Sequence, residues 1–416
     1  MSRKAFNSAV FALISALVAE AFFFSFLQEK SFTSIIGRVV LTATILHIIF
    51  RFCLFSFSQY RWKRNDFFTL IGILSLFIGI TWFGKVLSLS VSTYLGDLSP
   101  ISVYFYFPFA AGALLLYAII GAEYALVYTL SLASLVTIYT PNAKFLLPLI
   151  ISTSMVGCIR FSKVRTRTSY FGAGLRISTV AILVAFASFL MEPDLSTNDI
   201  LIRVTGGLAS GLLAIFLASG ISPVVEHLGR YVTDIRLIEI ATFDHPLLKE
   251  LSIQAPGTWN HSMVMGMMVE AAAEAVGANP ITARVGAYFH DIGKMKKPLY
   301  FVENQIPGEN RHDKLSPSMS ALIIKSHVRD GLDMAKAHKL PDVLLDAITQ
   351  HHGTSLIEYF YDKALKEAEA TGKSDIDKTL YTYPGPKPQT RECGILMLAD
   401  TIEAACRTIQ DPTVDR

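Results

Sequence analysis

Histidines carry the first chemical signal in this chain. There are ten, and eight of them follow residue 244. His290 and Asp291 stand side by side in Tyr288-Phe289-His290-Asp291-Ile292-Gly293-Lys294. An adjacent His-Asp at a helix end can offer an imidazole to one metal ion while its carboxylate bridges to a second. Neutral imidazole and carboxylate oxygen are the donor set expected for iron or manganese, and no thiolate competes. His261 falls early in the preceding predicted helix, and His327 falls late in a following one. His351-His352-Gly353 closes another. Successive helical residues diverge by about 100°. Both imidazoles can therefore face one ion only where the helix unwinds, and Gly353 supplies that exit. Asp400 follows Met397-Leu398-Ala399, so its carboxylate is expected to be buried and to need a counter-charge. Singly, each of these has an ordinary structural explanation: a helical histidine satisfied in a core, or Asp400 paired with Arg407. Jointly, five histidines and two aspartates at helix ends point to a binuclear metal centre. His245, His312 and His338 are expected to stand outside it.

The elements that must position these residues are helices. Trp259–Val276, Ile281–Asp291, Pro317–His338, Pro341–His352 and Arg391–Ile409 read as amphipathic helices. Pro280 and Pro341 sit where a first turn tolerates proline, and Gly277, Gly293 and Gly353 sit where helices stop. Ile221–Leu251 reads as a junction of short helices, and Lys373–Thr390, with its Tyr383-Pro384-Gly385-Pro386-Lys387-Pro388 run, as a loop. The fold class is all-α. The four cysteines are widely separated, without metal-finger spacing or a disulfide framework, and read as buried small residues.

Composition sets the other half of the chain apart. Hydrophobic residues make up 52% and charged residues only 17%, and the apolar excess fills the region before residue 223. Eight apolar stretches approach the length needed to cross about 30 Å of hydrocarbon as helices. They run over 5–27, 33–57, 67–93, 101–119, 122–140, 143–159, 172–191 and 200–222. The first lacks a small-residue cleavage site and is read as retained. Arg61, Lys63 and Arg64 follow the second stretch, and Arg160, Lys163, Arg165 and Arg167 follow the sixth. The intervening loops carry no basic residue except Lys30, so the N-terminus, with Arg3 and Lys4, is expected inside. Eight spans then return the C-terminal half to the cytoplasm. Glu20, Arg38 and His47 could mark an ion path but are expected rather to snorkel or pair within the bundle, and Gly206, Gly207 and Gly211 to allow close helix packing. The expected organisation is a transmembrane domain over 1–222, a junction over 223–250 and a cytoplasmic domain over 251–416.

The order His, His-Asp-Ile-Gly-Lys, His, His-His-Gly-Thr, Leu-Ala-Asp resembles the HD superfamily of phosphohydrolases. The closer resemblance is to the 7TM-HD membrane proteins, the PgpH-type cyclic di-AMP phosphodiesterases. Asp244–Leu251, Arg284–Tyr288, Phe301–Gln305, His351–Thr354 and Tyr383–Pro388 support it. The resemblance implies two divalent ions, iron or manganese. It implies that His261, His290, Asp291 and Asp400 gather one ion, that His327, His351 and His352 gather the other, and that Asp291 bridges them. It also implies hydrolysis of cyclic di-AMP to linear pApA. Divalent ions in such a centre acidify a water and withdraw charge from a phosphoryl oxygen. Lys294, just beyond Asp291, is expected to meet the phosphate as a second catalytic residue beside Asp291. Tyr300 and Tyr383 are candidates for stacking on adenine, and equally for packing. One departure stands out. The family places a large extracellular domain between its first span and the seven-helix set, and here only Gln28–Phe32 fill that place.

The expected partners are a cyclic dinucleotide and the lipid bilayer of the cytoplasmic membrane. The formal charge of +3 gives no case for a nucleic acid polymer. A homo-oligomer is compatible with the sequence but not readable from it. Three rivals remain. Cyclic di-GMP or guanosine tetraphosphate could be the substrate, although the Gly-Tyr-Pro triplet of the HD-GYP relatives is absent. The chain could be a nucleotide-binding membrane receptor, although no ligand position is lost. Transport is the third, although nothing repeats like a relay and broken-helix signals are lacking.

Overall fold

Long runs of apolar side chains leave the backbone only one way to satisfy its own polar groups in lipid, and that is helix. The computed structural model describes residues 3–56, 64–95, 98–140, 144–159, 167–192, 194–305, 308–371 and 376–407. The chain divides into two units, Met1–Thr233 and Asp234–Arg416. Among the described residues both are helical, without a named strand; one isolated bridge joins Leu356 to Thr382.

The first unit holds α1 (Arg3–Phe23), α2 (Phe32–Ser56), α3 (Arg64–Leu95), α4 (Ala110–Ile119), α5 (Ala122–Tyr139), α6 (Leu146–Cys158), α7 (Arg167–Met191) and α8 (Thr197–Gly229). A buried 3-10 turn, Ser102–Tyr106, leads into α4. α4 and α5 are the most buried, while α2, α7 and α8 expose large apolar residues such as Phe52, Phe171, Leu190 and Phe216. Those faces suit lipid contact. Among the described residues seven helical segments are long and apolar enough to cross a membrane, one of them Ser102–Ile119, which joins the 3-10 turn to α4. The stretch expected at 143–159 forms only α6, whose 13 residues reach about 20 Å at 1.5 Å per residue.

Several ionisable groups inside this unit are paired. Arg38 binds both carboxylate oxygens of Glu20, and Tyr139 donates to Glu20 at 2.9 Å. His47 Nδ1 lies 2.8 Å from Ser8 Oγ. Buried Arg203 reaches Ser102, Ser188 and Glu192. Gly207 and Gly211 let α8 lie directly against the backbone of α7. The basic residues Arg61, Lys63, Arg160, Lys163 and Arg165 lie outside the described residues.

The apolar stretch expected over 200–222 lies within a longer helix. α8 continues through Pro223 to Gly229. Proline forfeits one backbone donor, and here the helix absorbs the loss. Its true end is a left-handed Arg230, after which Tyr231 folds back to donate to buried Asp66 at 2.9 Å. Asn65 donates to the Gly229 carbonyl at 3.0 Å.

The second unit holds α9 (Asp234–Ile240), α10 (Pro246–Gln254), α11 (Pro256–Ala275), α12 (Pro280–Phe289), α13 (Pro317–Ala337), α14 (Asp342–Gln350), α15 (Glu358–Thr371) and α16 (Arg391–Arg407). Asn279 caps α12 by accepting from the amides of Ile281 and Thr282, and Ser316 caps α13 through the amide of Met319. α11, α12, α14 and α16 share a core of Met265, Val269, Ala287, Ala347 and Leu396. α15 was not expected from the sequence; it buries Phe360 and Ala364 against Ala321 and Tyr381.

Candidate metal centre

Five helix ends or faces converge on one buried carboxylate. α12 stops at Phe289, so His290 and Asp291 begin the turn that follows it. That turn, Ile292–Lys296, lies tight against α13: a Cβ on Gly293 would collide with the His327 carbonyl. α11 supplies His261 and α13 supplies His327. α14 ends at Gln350, and the unwinding turn carries His351 and His352 to Gly353 at φ +53°. A residue with a side chain is strained there. α16 supplies Asp400.

Asp291 has its two oxygens in different company. Oδ2 lies 3.1 Å from His290 Nε2, 3.8 Å from His261 Nε2 and 2.7 Å from Lys294 Nζ. Oδ1 lies 3.3 Å from His327 Nε2 and 3.6 Å from His351 Nε2. Asp400 Oδ1 is 3.2 Å from His261 Nε2, and its Oδ2 is 3.6 Å from His352 Nδ1. Two groups able to hold an ion result: Asp291, His327, His351 and His352, and beside them His261, His290 and Asp400. All seven residues singled out as ligands from sequence are brought together. His245 packs on Phe289 and His338, and His312 faces the Tyr300 carbonyl at 2.8 Å; both lie outside these groups.

The donor chemistry fits a cation. Nδ1 of His290, His327 and His351 lies 2.7, 2.6 and 2.8 Å from the carbonyls of Ala287, Ile324 and Ile348. Each is the carbonyl three residues back. A carbonyl only accepts, so Nδ1 donates and Nε2 of each neutral ring is a bare lone pair. The Nε2 atoms of His327 and His351 nevertheless face each other 3.2 Å apart, with Asp291 Oδ1 beside them. Three acceptors meet with no proton between them. Burial pushes the His327 imidazole down to about 3, so protonation does not relieve the repulsion. Burial likewise holds His352 well below its ordinary value. Asp291 stays ionised: burial opposes this, but the Lys294 ammonium 2.7 Å away helps hold its carboxyl well below the usual range.

Lys294 is itself held between two carboxylates. Its Nζ lies 2.7 Å from Asp291 and 2.9 Å from Glu303, over the Phe301 ring. Burial works against its charge, yet Asp291, Glu303 and Asp400 keep the ammonium protonated. Two carboxylates were not singled out in sequence. Glu303 anchors Lys294 and accepts from Thr258 Oγ1 at 3.0 Å. Glu403 Oε2 lies 3.1 Å from His261 Nδ1. Its position three residues beyond Asp400 on one helix face was the available signal. Tyr383 stacks on His352 with centroids 4.2 Å apart, and Tyr300 lies edge-on to His312.

A buried His-Asp doublet ringed by histidines from neighbouring helices, following a polytopic helical unit, defines a membrane protein with an HD-type hydrolase domain. The family described as "7TM receptor with intracellular HD hydrolase" matches residues 32–233, and the HD domain family matches residues 258–405. The chain belongs to this family of seven-span HD proteins, whose HD domains bind divalent metal ions. It is 36% identical to the cyclic-di-AMP phosphodiesterase PgpH of Bacillus subtilis over 74% of its length, and 34% identical to that of Listeria monocytogenes over 75%. It spans less than half the length of these relatives, 44% and 43%. The crystal structure of the L. monocytogenes PgpH HD domain is 45% identical and covers 41% of this chain and 77% of its own, with a TM-score of 0.38. The same domain in complex with cyclic-di-AMP is 46% identical, covering 42% and 78%, with a TM-score of 0.39.

Proposed function

We propose that this chain is a membrane-anchored, metal-dependent phosphodiesterase that hydrolyses cyclic di-AMP to pApA. The observation that carries the reading is the carboxylate of Asp291, whose two oxygens face two separate sets of histidines. Two divalent ions, iron or manganese, suit this donor set. His261, His290 and Asp400 would hold one and His327, His351 and His352 the other, with Asp291 offering an oxygen toward each set. When bound, they acidify a water and withdraw charge from the phosphoryl group.

The chain's own residues do the rest. The Nδ1–H bonds to Ala287, Ile324 and Ile348 lock three rings with Nε2 facing inward. Lys294, held by Glu303, keeps a fixed positive charge beside the reacting phosphate. Tyr383 covers His352 and excludes water from that side. Water oxygen bonds to phosphorus, the bond to the ribose 3′-oxygen breaks, and that oxygen takes the proton. The cyclic substrate opens to a linear 5′-phosphate.

The catalytic unit faces the cytoplasm. Counting short α6 as a crossing gives the family's seven-span region α2–α8, and α1 makes eight, which sets both termini on one side. The test is hydrolysis by the full-length protein in detergent with Mn²⁺, read by chromatography against cyclic di-AMP and cyclic di-GMP. Faster conversion of cyclic di-AMP is expected, by about a hundredfold, because a site that pairs one base edge leaves buried polar groups unpaired with the other. Equal rates, or a preference for cyclic di-GMP, would overturn the substrate.

A further inference from the structure

Beside the metal centre lies a groove with a volume of about 560 Å³. Its lining includes Lys325, Ser326 and Arg329 from α13, Lys378, and Tyr383 and Pro384. Two of these residues tie it to the centre. Ser326 immediately precedes His327, and Tyr383 stacks on His352. The size is that of an ordinary small-molecule site, roughly 300–1,000 Å³.

Its charge is one-sided. Lys325, Arg329 and Lys378 form no ion pair within 4.0 Å among the described residues. Lys325 Nζ touches only the Thr379 carbonyl, at 3.4 Å, and Lys378 Nζ stands 5.9 Å from the Tyr361 ring. Asp377 bears on Lys325 electrostatically, but its carboxylate is already engaged by the amide and hydroxyl of Thr379. The floor is built from Leu322, the proline and the tyrosine. A floor of that kind under a cationic rim suits a nucleoside with its phosphate.

A cyclic dinucleotide has two phosphodiesters, and only one can sit at Asp291 during a turnover. The other keeps its negative charge and needs cations. We infer that the groove holds the half of the dinucleotide that is not being cut, with Lys325, Arg329 and Lys378 around its intact phosphate. This assignment rests on the cyclic dinucleotide reading given above.

Full-length Lys325→Gln, Arg329→Gln and Lys378→Gln, singly and combined, test it with two substrates. One is cyclic di-AMP. The other is bis(p-nitrophenyl) phosphate, which has a single phosphodiester and nothing to place in the groove. Exposed charge pairs are worth about two- to fivefold each, so the triple variant is expected to lose about thirtyfold in kcat/KM for the dinucleotide relative to the ester. The loss should fall mainly in KM. An equal change for both substrates would make the three cations structural and overturn the inference, as would an unmoved ratio. A wild-type dinucleotide KM, with altered nucleotide inhibition of ester hydrolysis, would assign the groove to an effector and also overturn it. Wild-type protein that cleaves the ester but no cyclic dinucleotide would defeat the functional reading itself, and the groove assignment with it.

Discussion

Glu403 offers the sharpest test of how the metal centre is organised. His290, His327 and His351 each donate Nδ1–H to a carbonyl of their own helix. His261 has instead the Glu403 carboxylate, 3.1 Å from Nδ1. The His261 and Glu403 side chains are only 5% and 18% exposed, so water screens the contact weakly. Removing Glu403 frees the ring to rotate or to place its proton on Nε2, where Asp400 lies 3.2 Å away. Loss of such an outer partner costs about 10- to 100-fold in metal affinity. That equals about 1.4–2.8 kcal/mol, the scale of a close, weakly screened carboxylate contact on a ligand ring. Glu403→Ala is therefore expected to weaken one of two metal sites by that factor, and the ion held by His327, His351 and His352 to stay. Glu403→Gln keeps an acceptor and should recover most of the affinity. The assay is metal content per chain after equilibration against buffers of graded free Mn²⁺. Wild-type occupancy in Glu403→Ala would refute the reasoning. Gln as damaging as Ala would show that charge, and not ring orientation, is what Glu403 supplies.

Asp291→Ala should lose both ions by metal analysis and lower turnover by orders of magnitude, whereas His338→Ala, on an exposed ring bonded to the Met334 carbonyl, should behave as wild type. Gly293→Ala drives a methyl into the His327 carbonyl and should cost about 1–3 kcal/mol, seen as a lower thermal midpoint together with weaker metal binding. A reporter fused to the C-terminus should score as cytoplasmic; a periplasmic signal would remove the eight-crossing arrangement.

Much of this architecture was legible because lipid and metal both impose strict patterns. Long apolar runs gave α1–α8 their places, and residue types that chelate gave the site. The Pro and Gly punctuation located α11–α14, since Pro280 and Gly353 act through backbone geometry that needs no tertiary context. The misses have physical causes. The apolar run thins out near residue 223, yet the helix continues, and contacts far in sequence, Asn65 and Asp66, stand at its end at Gly229. α15 is rich in charge and buries little beyond Phe360 and Ala364, so its amphipathic signal was weak. The anchoring of Lys294 by Glu303 was not read from the sequence, because Glu303 reaches it only after the chain has turned through two 3-10 segments. No pattern local to Lys294 reports that pairing.

Charge balance supports the proposal of two divalent ions and shows how such a centre would welcome an anion. Asp291, Asp400, Glu303 and Glu403 place four carboxylates in and around a mostly buried cluster, and Lys294 is the ammonium among them. With the imidazoles neutral, as ligation requires, the formal charge is about −3. Buried like charges at these distances repel strongly when nothing offsets them. One divalent ion leaves about −1, and a bound phosphodiester would return the site to about −2, so substrate would be repelled from the centre meant to cleave it. Two divalent ions leave about +1, and one phosphodiester brings the total to about zero. The centre can then neutralise one phosphate of a cyclic dinucleotide and has nothing left for the second. That second charge must be met elsewhere, and the unpaired cations of Lys325, Arg329 and Lys378 stand in the groove that opens past Tyr383.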